Sequence, residues 1–266
     1  MIKGLILKIM LWFFYYYRDE SKPNKYLYGV RKDKDDYRDY DAISLVDSVQ
    51  PLPTKYTLSI NPYLFVKNQG KWNSCTGHAL ATALEISHIV HNTQLKTIEL
   101  SERYSWFFSR ILSGTFPDNK GAYLRDVMKS AQNYGVSPER LCPYINDLIN
   151  EIPDRFAYSF AKFFKIKFYY RVHGKEMLKR VIKGGYPVIA GVKTTRSFID
   201  DKGEIKVELG ERTYGAHAIV IYGFDDDKGC FNCINSWGDG YKDRGIMDVP
   251  YEYIDKYGFD LWAFNI

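Results

Sequence analysis

The chain has 266 residues, of which 45% are hydrophobic and 26% charged, so it can form a packed core and is not a largely disordered chain. Its formal net charge is +5, from 37 basic and 32 acidic residues, and no long basic run accompanies this excess, which argues against nucleic-acid binding. Four cysteines are few for a chain of this length and indicate a reducing compartment such as the cytoplasm, not a disulfide scaffold.

The first segment is apolar and aromatic, since residues 4–17 read GLILKIMLWFFYYY, with Lys3 before them and Lys8 among them. This stretch is shorter than the roughly 20 residues that span a bilayer, and no small-residue cleavage site follows it. Three interpretations stay open: a membrane-surface anchor, an uncleaved signal anchor, or a helix docked on the protein itself. Residues 2–17 are therefore the candidate segment for association with a membrane surface or a virion.

The second segment, residues 18–47, is polar and strongly charged, with the run RKDKDDYRDYD at residues 31–41. We expect a solvated connector that wraps the domain, because the segment is too short and too weakly periodic for a folded inhibitory prodomain. Pro51 and Pro53 then mark the entry to the main domain. The sequence thus divides into an N-terminal region, residues 1–50, and one domain, residues 51–266.

Four segments of the domain have the apolar spacing of helices. The first begins at Ser74, a residue that can cap a helix, and carries an apolar stripe as far as Val90. The other three cover residues 101–112, capped by Ser101, residues 123–134, ended by Gly135, and residues 175–183, ended by two glycines.

Short apolar runs at residues 187–192, 218–224, 230–234 and 245–249 indicate strands in the second half of the chain. The sequence DDDKG at residues 225–229 predicts a turn that pairs the second and third of these runs as a hairpin. Helices followed by antiparallel strands indicate an α+β protein.

The candidate nucleophile is Cys75. It lies at the predicted start of the first helix, after the loop NQGKWNS. Unpaired backbone N–H groups and the helix dipole favour negative charge at this position, which lowers the pKa of a thiol and produces the reactive thiolate.

The partner base is assigned to His217, which enters an apolar strand, with Asn235 on the following strand to hold the imidazole and Trp237 beside it. Papain and cathepsins place their later catalytic residues about 130–150 residues after the cysteine; His217 falls inside this interval and Asn235 somewhat beyond it. Four histidines are weaker candidates, because they lie on the first helix or in a loop without partners: His78, His88, His91 and His173.

Acyl transfer also requires donors for the developing oxyanion. Gln69 lies on the loop that precedes Cys75, and its amide together with the backbone N–H of Cys75 can supply them. The remaining motif is a CxxC formed by Cys230 and Cys233. Because no second CxxC or histidine pair completes a zinc site, we interpret these two residues as packed thiols in a strand and expect no metal.

Taken together, three segments resemble the papain family of cysteine peptidases: VKNQGKWNSCTGHALATALE at residues 66–85, GAHAIVIYGFDD at 215–226 and INSWGDGYKDRGIMDVP at 234–250. The likeness is greatest to the disulfide-poor branch of bacteria, archaea and large DNA viruses, whose leader resembles residues 28–42 and whose middle helix resembles residues 121–144. It covers residues 28–266.

This resemblance implies two subdomains around a cleft, a helical one at about residues 51–165 and a β-rich, barrel-like one at about residues 166–266. It assigns Cys75 as nucleophile, His217 as base, Asn235 as orienting amide, Gln69 as oxyanion donor and Trp237 as the indole over the Asn–His contact. The expected activity is hydrolysis of protein or peptide substrates through a thioacyl-enzyme, without metal or organic cofactor. Secreted members carry a disulfide cysteine where this chain has Trp72.

Two alternatives remain beside hydrolysis of peptides. A non-catalytic structural or scaffold protein, for example one associated with a virion, can retain the peptidase fold, since fold alone does not establish activity. A related acyl-transfer enzyme, such as a peptide ligase or a deubiquitinating-type isopeptidase, would use the same residues with another acceptor or substrate.

Overall fold

The structure, a computed structural model, describes residues 28–46, 51–60 and 66–266. The apolar segment at residues 2–17, with its membrane, virion and docked-helix interpretations, lies outside the described residues. None of the helices in the described ranges is long and apolar enough to cross a membrane.

The described part of the chain contains seven α-helices: α1 (Cys75–Val90), α2 (Glu102–Leu112), α3 (Leu124–Asn133), α4 (Arg155–Ala161), α5 (Gly174–Lys183), α6 (Arg196–Ile199) and α7 (Tyr251–Tyr257). The four helices predicted from apolar spacing correspond to α1, α2, α3 and α5. Ser101 caps α2 as expected, accepting a hydrogen bond from the backbone N–H of Tyr104. Ser74 is the N-cap residue of α1, as expected, but its side chain makes no capping hydrogen bond, because its hydroxyl is paired with that of Tyr144.

Ten strands are present in the described ranges: β1 (Val30–Arg31), β2 (Tyr40–Asp41), β3 (Lys55–Thr57), β4 (Ala122–Tyr123), β5 (Phe168–Arg171), β6 (Val188–Thr194), β7 (Gly215–Asp225), β8 (Cys230–Ile234), β9 (Ile246–Pro250) and β10 (Gly258–Asn265). Eight of them form one sheet in the order β2-β5-β10-β6-β7-β8-β9, with β3 paired to β7. The predicted hairpin is β7–β8, and both of its strands are antiparallel to their neighbours.

The two halves of the chain meet at α1. This helix is apolar on nearly every side and is buried along most of its length, because α2 packs on one face and strand β7 on another. The N-terminus of α1 therefore lies at the junction between the helices and the sheet. The mixed architecture confirms the α+β assignment and places Cys75 beside the strand that carries His217.

Candidate active site

The thiol of Cys75 lies at the N-terminus of α1 and is fully buried. Backbone N–H groups of Ala218, Gly29 and the first turn of the helix approach its sulfur and favour the thiolate. Burial outweighs them and raises the pKa of the Cys75 thiol to about 12. In this closed arrangement the sulfur is therefore a neutral thiol at pH 7.

Position and tautomer of His217 are set by Asn235. The Nε2 atom of His217 lies 2.7 Å from Oδ1 of Asn235, and the backbone N–H of Ser236 donates to the same Oδ1 at 2.7 Å. An atom that accepts from a backbone N–H must be the amide oxygen, so Nε2 of His217 carries the proton and donates it. The lone pair of the neutral ring is then on Nδ1, which is buried and has no hydrogen-bond partner among the described residues.

Cys75 and His217 are adjacent through the backbone of β7. The N–H of Ala218, the residue directly after His217, is one of the groups that approach the Cys75 sulfur. Burial lowers the pKa of His217 to about 4 despite the bond to Asn235, so the imidazole is neutral in this state. A neutral ring with a free lone pair is the form that accepts a proton from a thiol.

Two aromatic rings enclose the imidazole. The indole of Trp237 lies 4.6 Å from the His217 ring, centroid to centroid, and the Phe198 ring approaches it edge-on at 6.3 Å. Both side chains are buried. They keep water from the bond between His217 and Asn235, which strengthens that bond and fixes the ring.

Gln69 is buried on the loop before Cys75, and its amide is held at both ends. The Ser236 hydroxyl donates to Oε1 at 2.8 Å, and Nε2 donates to the carbonyl of Trp72 at 2.9 Å. The backbone is fixed as well, because the N–H of Gln69 donates to the carbonyl of Ser236 and the Tyr144 hydroxyl donates to the carbonyl of Gln69. The second N–H of the amide nitrogen is not used by these contacts.

A buried cation anchors the same loop to the helices. The ammonium of Lys67, two residues before Gln69, lies 2.9 Å from Glu102 and 3.2 Å from Glu85. Its carbonyl accepts from the N–H of Gly238, beside Trp237. Lys67 therefore connects α1 and α2, through its side chain, to the segment that carries Asn235. No pattern in the sequence pointed to this residue.

The leader, residues 28–42, begins over the thiol, where its residues 28–31 contact the Cys75 region. A Cβ atom added to Gly29 would come within 2.8 Å of the Cys75 sulfur and closer still to the carbonyl of Asn73. The N–H of Ala122 donates to the carbonyl of Gly29 at 3.0 Å, and β1 then continues parallel to β4. The Tyr28 ring packs directly on Gly215. The leader thus closes the site, and the expectation of a solvated connector was wrong for this part of residues 18–47.

Asp33 fixes the leader from within the fold. Its carboxylate accepts from the indole N–H of Trp262 at 2.9 Å and from the backbone N–H of Arg125 at 3.2 Å. Its own N–H donates to the carboxylate of Asp260. Burial, with the nearby Asp260 carboxylate, raises the pKa of Asp33 to about 6.

Two arginines complete this attachment. Arg171 bonds Asp39 at 2.9 Å and Asp260 at 2.7 Å, and Arg125 bonds Asp39 at 2.7 Å. Asp39, like Asp33, belongs to the charged run that sequence analysis assigned to solvent. Both carboxylates have guanidinium partners in the domain, which a single sequence without contacts does not reveal.

A sequence model described as the papain family cysteine protease matches residues 58–260. The chain belongs to this family.

Relatives of this papain-family protein support the assignment. An uncharacterized peptidase C1-like protein of Acanthamoeba polyphaga mimivirus is 26% identical over 211 residues, which are 73% of this chain and 68% of that one. Xylellain, a cysteine protease from Xylella fastidiosa, superimposes with a TM-score of 0.83 at 27% identity, over 92% of this chain and 97% of its own. Digestive procathepsin L 3 of Tenebrio molitor shares the fold at 18% identity, with a TM-score of 0.69 over 91% and 77% of the two chains.

These comparisons confirm the papain-like fold, the class of cysteine peptidase and the likeness to bacterial and viral members. All four cysteines lie in the described ranges and are free and buried. Cys230 and Cys233 lie on β8, where burial raises the pKa of both thiols, that of Cys230 to about 11. The described residues contain no group of side chains that could hold a metal ion.

Proposed function

We propose that this papain-family peptidase hydrolyses peptide bonds with Cys75 as nucleophile, His217 as base and acid, Asn235 as the residue that orients His217, and Gln69 as oxyanion donor. The observation that carries the proposal is the bond from His217 Nε2 to Asn235 Oδ1, because it leaves the buried Nδ1 lone pair without a partner among the described residues, while the backbone N–H of the next residue, Ala218, approaches the Cys75 sulfur. Trp237 shields that bond from water.

In the first half of the reaction the Cys75 sulfur attacks the carbonyl carbon of the substrate, and the thiol proton passes to Nδ1 of His217. The carbonyl oxygen becomes an oxyanion, which accepts hydrogen bonds from the amide of Gln69 and the backbone N–H of Cys75. When this intermediate collapses, the C–N bond breaks and the imidazolium gives its proton to the leaving amine. A thioester on Cys75 remains.

In the second half water attacks the thioester carbonyl while Nδ1 of His217 takes its proton. The C–S bond breaks, the sulfur recovers the proton, and the carboxylic acid product leaves. Every bond made or broken in these two steps belongs to the substrate, to Cys75, to His217 or to one water molecule, so the cycle as written uses neither metal nor organic cofactor. Because the thiol must stay reduced, we expect the protein to act in a reducing compartment such as the cytoplasm.

We infer that the closed leader and a substrate compete for the same space. Gly29 occupies the position over the sulfur that a scissile carbonyl needs, and Tyr28 covers Gly215 on the opposite wall. With the leader in place, burial keeps Cys75 and His217 neutral. Displacement of the leader admits water and substrate, which lowers the cost of charging both groups.

The proposal is tested by hydrolysis of an unfolded protein substrate by the full chain and by Cys75→Ser. The variant should form no new termini, whereas Cys230→Ser, a change at a buried thiol outside the site, should retain activity. If neither the wild-type chain nor the Gly29→Ala variant, in which the leader is displaced, cleaves the substrate, the scaffold alternative is favoured. Ordinary turnover by Cys75→Ser would refute the proposed nucleophile.

A further inference from the structure

One short stretch of the helical half exposes large apolar side chains to solvent. Ile152 is 80% exposed, Phe156 55%, Phe160 41% and Phe163 67%. The last three recur at helical spacing along α4 and the 3-10 turn that follows it, Lys162–Phe164. Single exposed apolar residues are ordinary, but four within twelve positions are a concentration that calls for an explanation, and we call these four residues the patch.

Packing of the fold does not account for this patch. The helix and the turn that follows it are held to the domain by another face, on which Ala157, Ala161 and Phe164 are buried. The rings of Phe160 and Phe163 lie 6.1 Å apart on the outer side, and they face away from that buried face. Polar side chains at these outer positions would cost the core nothing, so their apolar character indicates a partner.

Cations surround the patch. Arg155, Lys162 and Lys165 are exposed in the same stretch, and the guanidinium of Arg155 lies 5.0 Å from the centre of the Phe156 ring. Lys167 follows them, but its ammonium donates to the carbonyl of Ile266 at 2.9 Å. The two acids nearby are Glu151 and Asp154. Asp154 caps α4, where its side chain accepts a hydrogen bond from the N–H of Ala157. Residues 152–167 together form what we call the aromatic–basic surface.

We propose that the aromatic–basic surface docks on an anionic lipid membrane. Exposed aromatic rings enter the boundary between headgroups and acyl chains, and the lysines and arginine reach the anionic headgroups. No spanning helix is required, since the attachment lies along the surface of the bilayer.

Charge decides against two other occupants. The N-terminal segment at residues 2–17 is apolar enough to cover the patch, but its charged residues are Lys3 and Lys8, which would be placed against the three exposed cations Arg155, Lys162 and Lys165. A second copy related by a two-fold axis would oppose two identical basic surfaces. An anionic bilayer complements the charge of the surface and of the N-terminal segment. Because one weak anchor alone gives only reversible binding, both sequences can contribute to attachment.

The experiment is flotation of the full chain with vesicles of phosphatidylcholine containing phosphatidylserine, and with phosphatidylcholine alone. Phe156→Ser/Phe160→Ser/Phe163→Ser should weaken binding to the anionic vesicles by at least about tenfold. Lys162→Glu/Lys165→Glu should weaken it by more than about fivefold for each charge changed.

Matched control variants test whether loss of any exposed apolar or charged side chain weakens vesicle binding, or only loss of those on the aromatic–basic surface. Ile111→Ser and Leu209→Ser remove exposed apolar side chains elsewhere, and Lys202→Glu/Lys206→Glu changes two exposed charges; all three should float like wild type. Each variant is first checked for unchanged thermal unfolding. Equal flotation of the wild type and both surface variants, or equal binding to neutral vesicles, overturns the proposal. So does a wild-type dimer, seen without lipid, that the triple variant abolishes.

Discussion

Replacing Gly29 by alanine tests how the leader closes the site. The added Cβ would lie 2.8 Å from the Cys75 sulfur and nearer still to the carbonyl of Asn73, which is backbone and cannot rotate away. Alanine is unstrained in a released leader, so the change penalises the closed state alone. The closed state should therefore lose free energy relative to the open one.

The size of the effect follows from the overlap. One extra methyl in a well-packed site costs about 1–3 kcal/mol, which raises the ratio of open to closed molecules by roughly 5- to 150-fold. Because a closed leader covers the sulfur, the rate of Cys75 alkylation is proportional to the open fraction while that fraction is small. The alkylation rate should rise by the same factor.

The assay is the rate of modification of Cys75 by a thiol reagent at pH 7, followed by mass spectrometry. Gly240→Ala is the matched control, since no described atom lies within 4 Å of a Cβ at that position, and it should react like wild type. Gly215→Ala, which collides with the Tyr28 ring from the other wall, should accelerate the reaction as Gly29→Ala does. A wild-type rate in both leader-displacing variants would refute the closure described above.

Three further predictions concern the site and its supports. Gln69→Ala removes the side-chain oxyanion donor and should lower kcat by about 10²–10³-fold with little change in KM, measured on a peptide substrate. The pKa of Asp33 is raised from 3.8 to about 6 when the leader is docked, so docking is strongest at low pH and weakens as pH rises from 3.8 through about 6. The alkylation rate of wild type, divided by that of Asp33→Asn, should rise over this pH range, and a constant ratio would contradict the prediction. Lys67→Met leaves the buried carboxylates of Glu85 and Glu102 without their cation and should cost about 3–5 kcal/mol in denaturant unfolding, with Lys67→Arg closer to wild type.

Helices and the central hairpin followed from local patterns. The stripe after Ser74 predicted α1 because an apolar period of 3.6 fits a buried helix, and the turn at residues 225–229 predicted the β7–β8 pairing. Boundaries differ by one to three residues, as β7 begins at Gly215 and not at Ala218. Cys75, His217 and Asn235 were chosen from position and residue type, and the structure joins the last two by a hydrogen bond.

Elements that depend on distant partners were not predicted. Strands β5 and β10 are short aromatic runs without clear alternation, and they are strands because they pair with each other and, for β10, with β6. Ser74 carries the residue type of a cap, yet its hydroxyl is taken by Tyr144, seventy positions away. The leader was assigned to solvent from its charge alone, because its partners, Arg125 and Arg171, are distant in sequence.

The central claim is that Cys75 is a nucleophile activated by His217, and labelling with an epoxysuccinyl thiol-protease inhibitor tests it most directly. The reagent is applied to the Gly29→Ala chain and to the same chain carrying His217→Ala, and the modified peptide is mapped. We predict one adduct, on Cys75, that is lost or strongly slowed without His217, while Cys142, Cys230 and Cys233 stay unmodified. Modification of another cysteine, or an equal rate on Cys75 in both chains, would contradict the account.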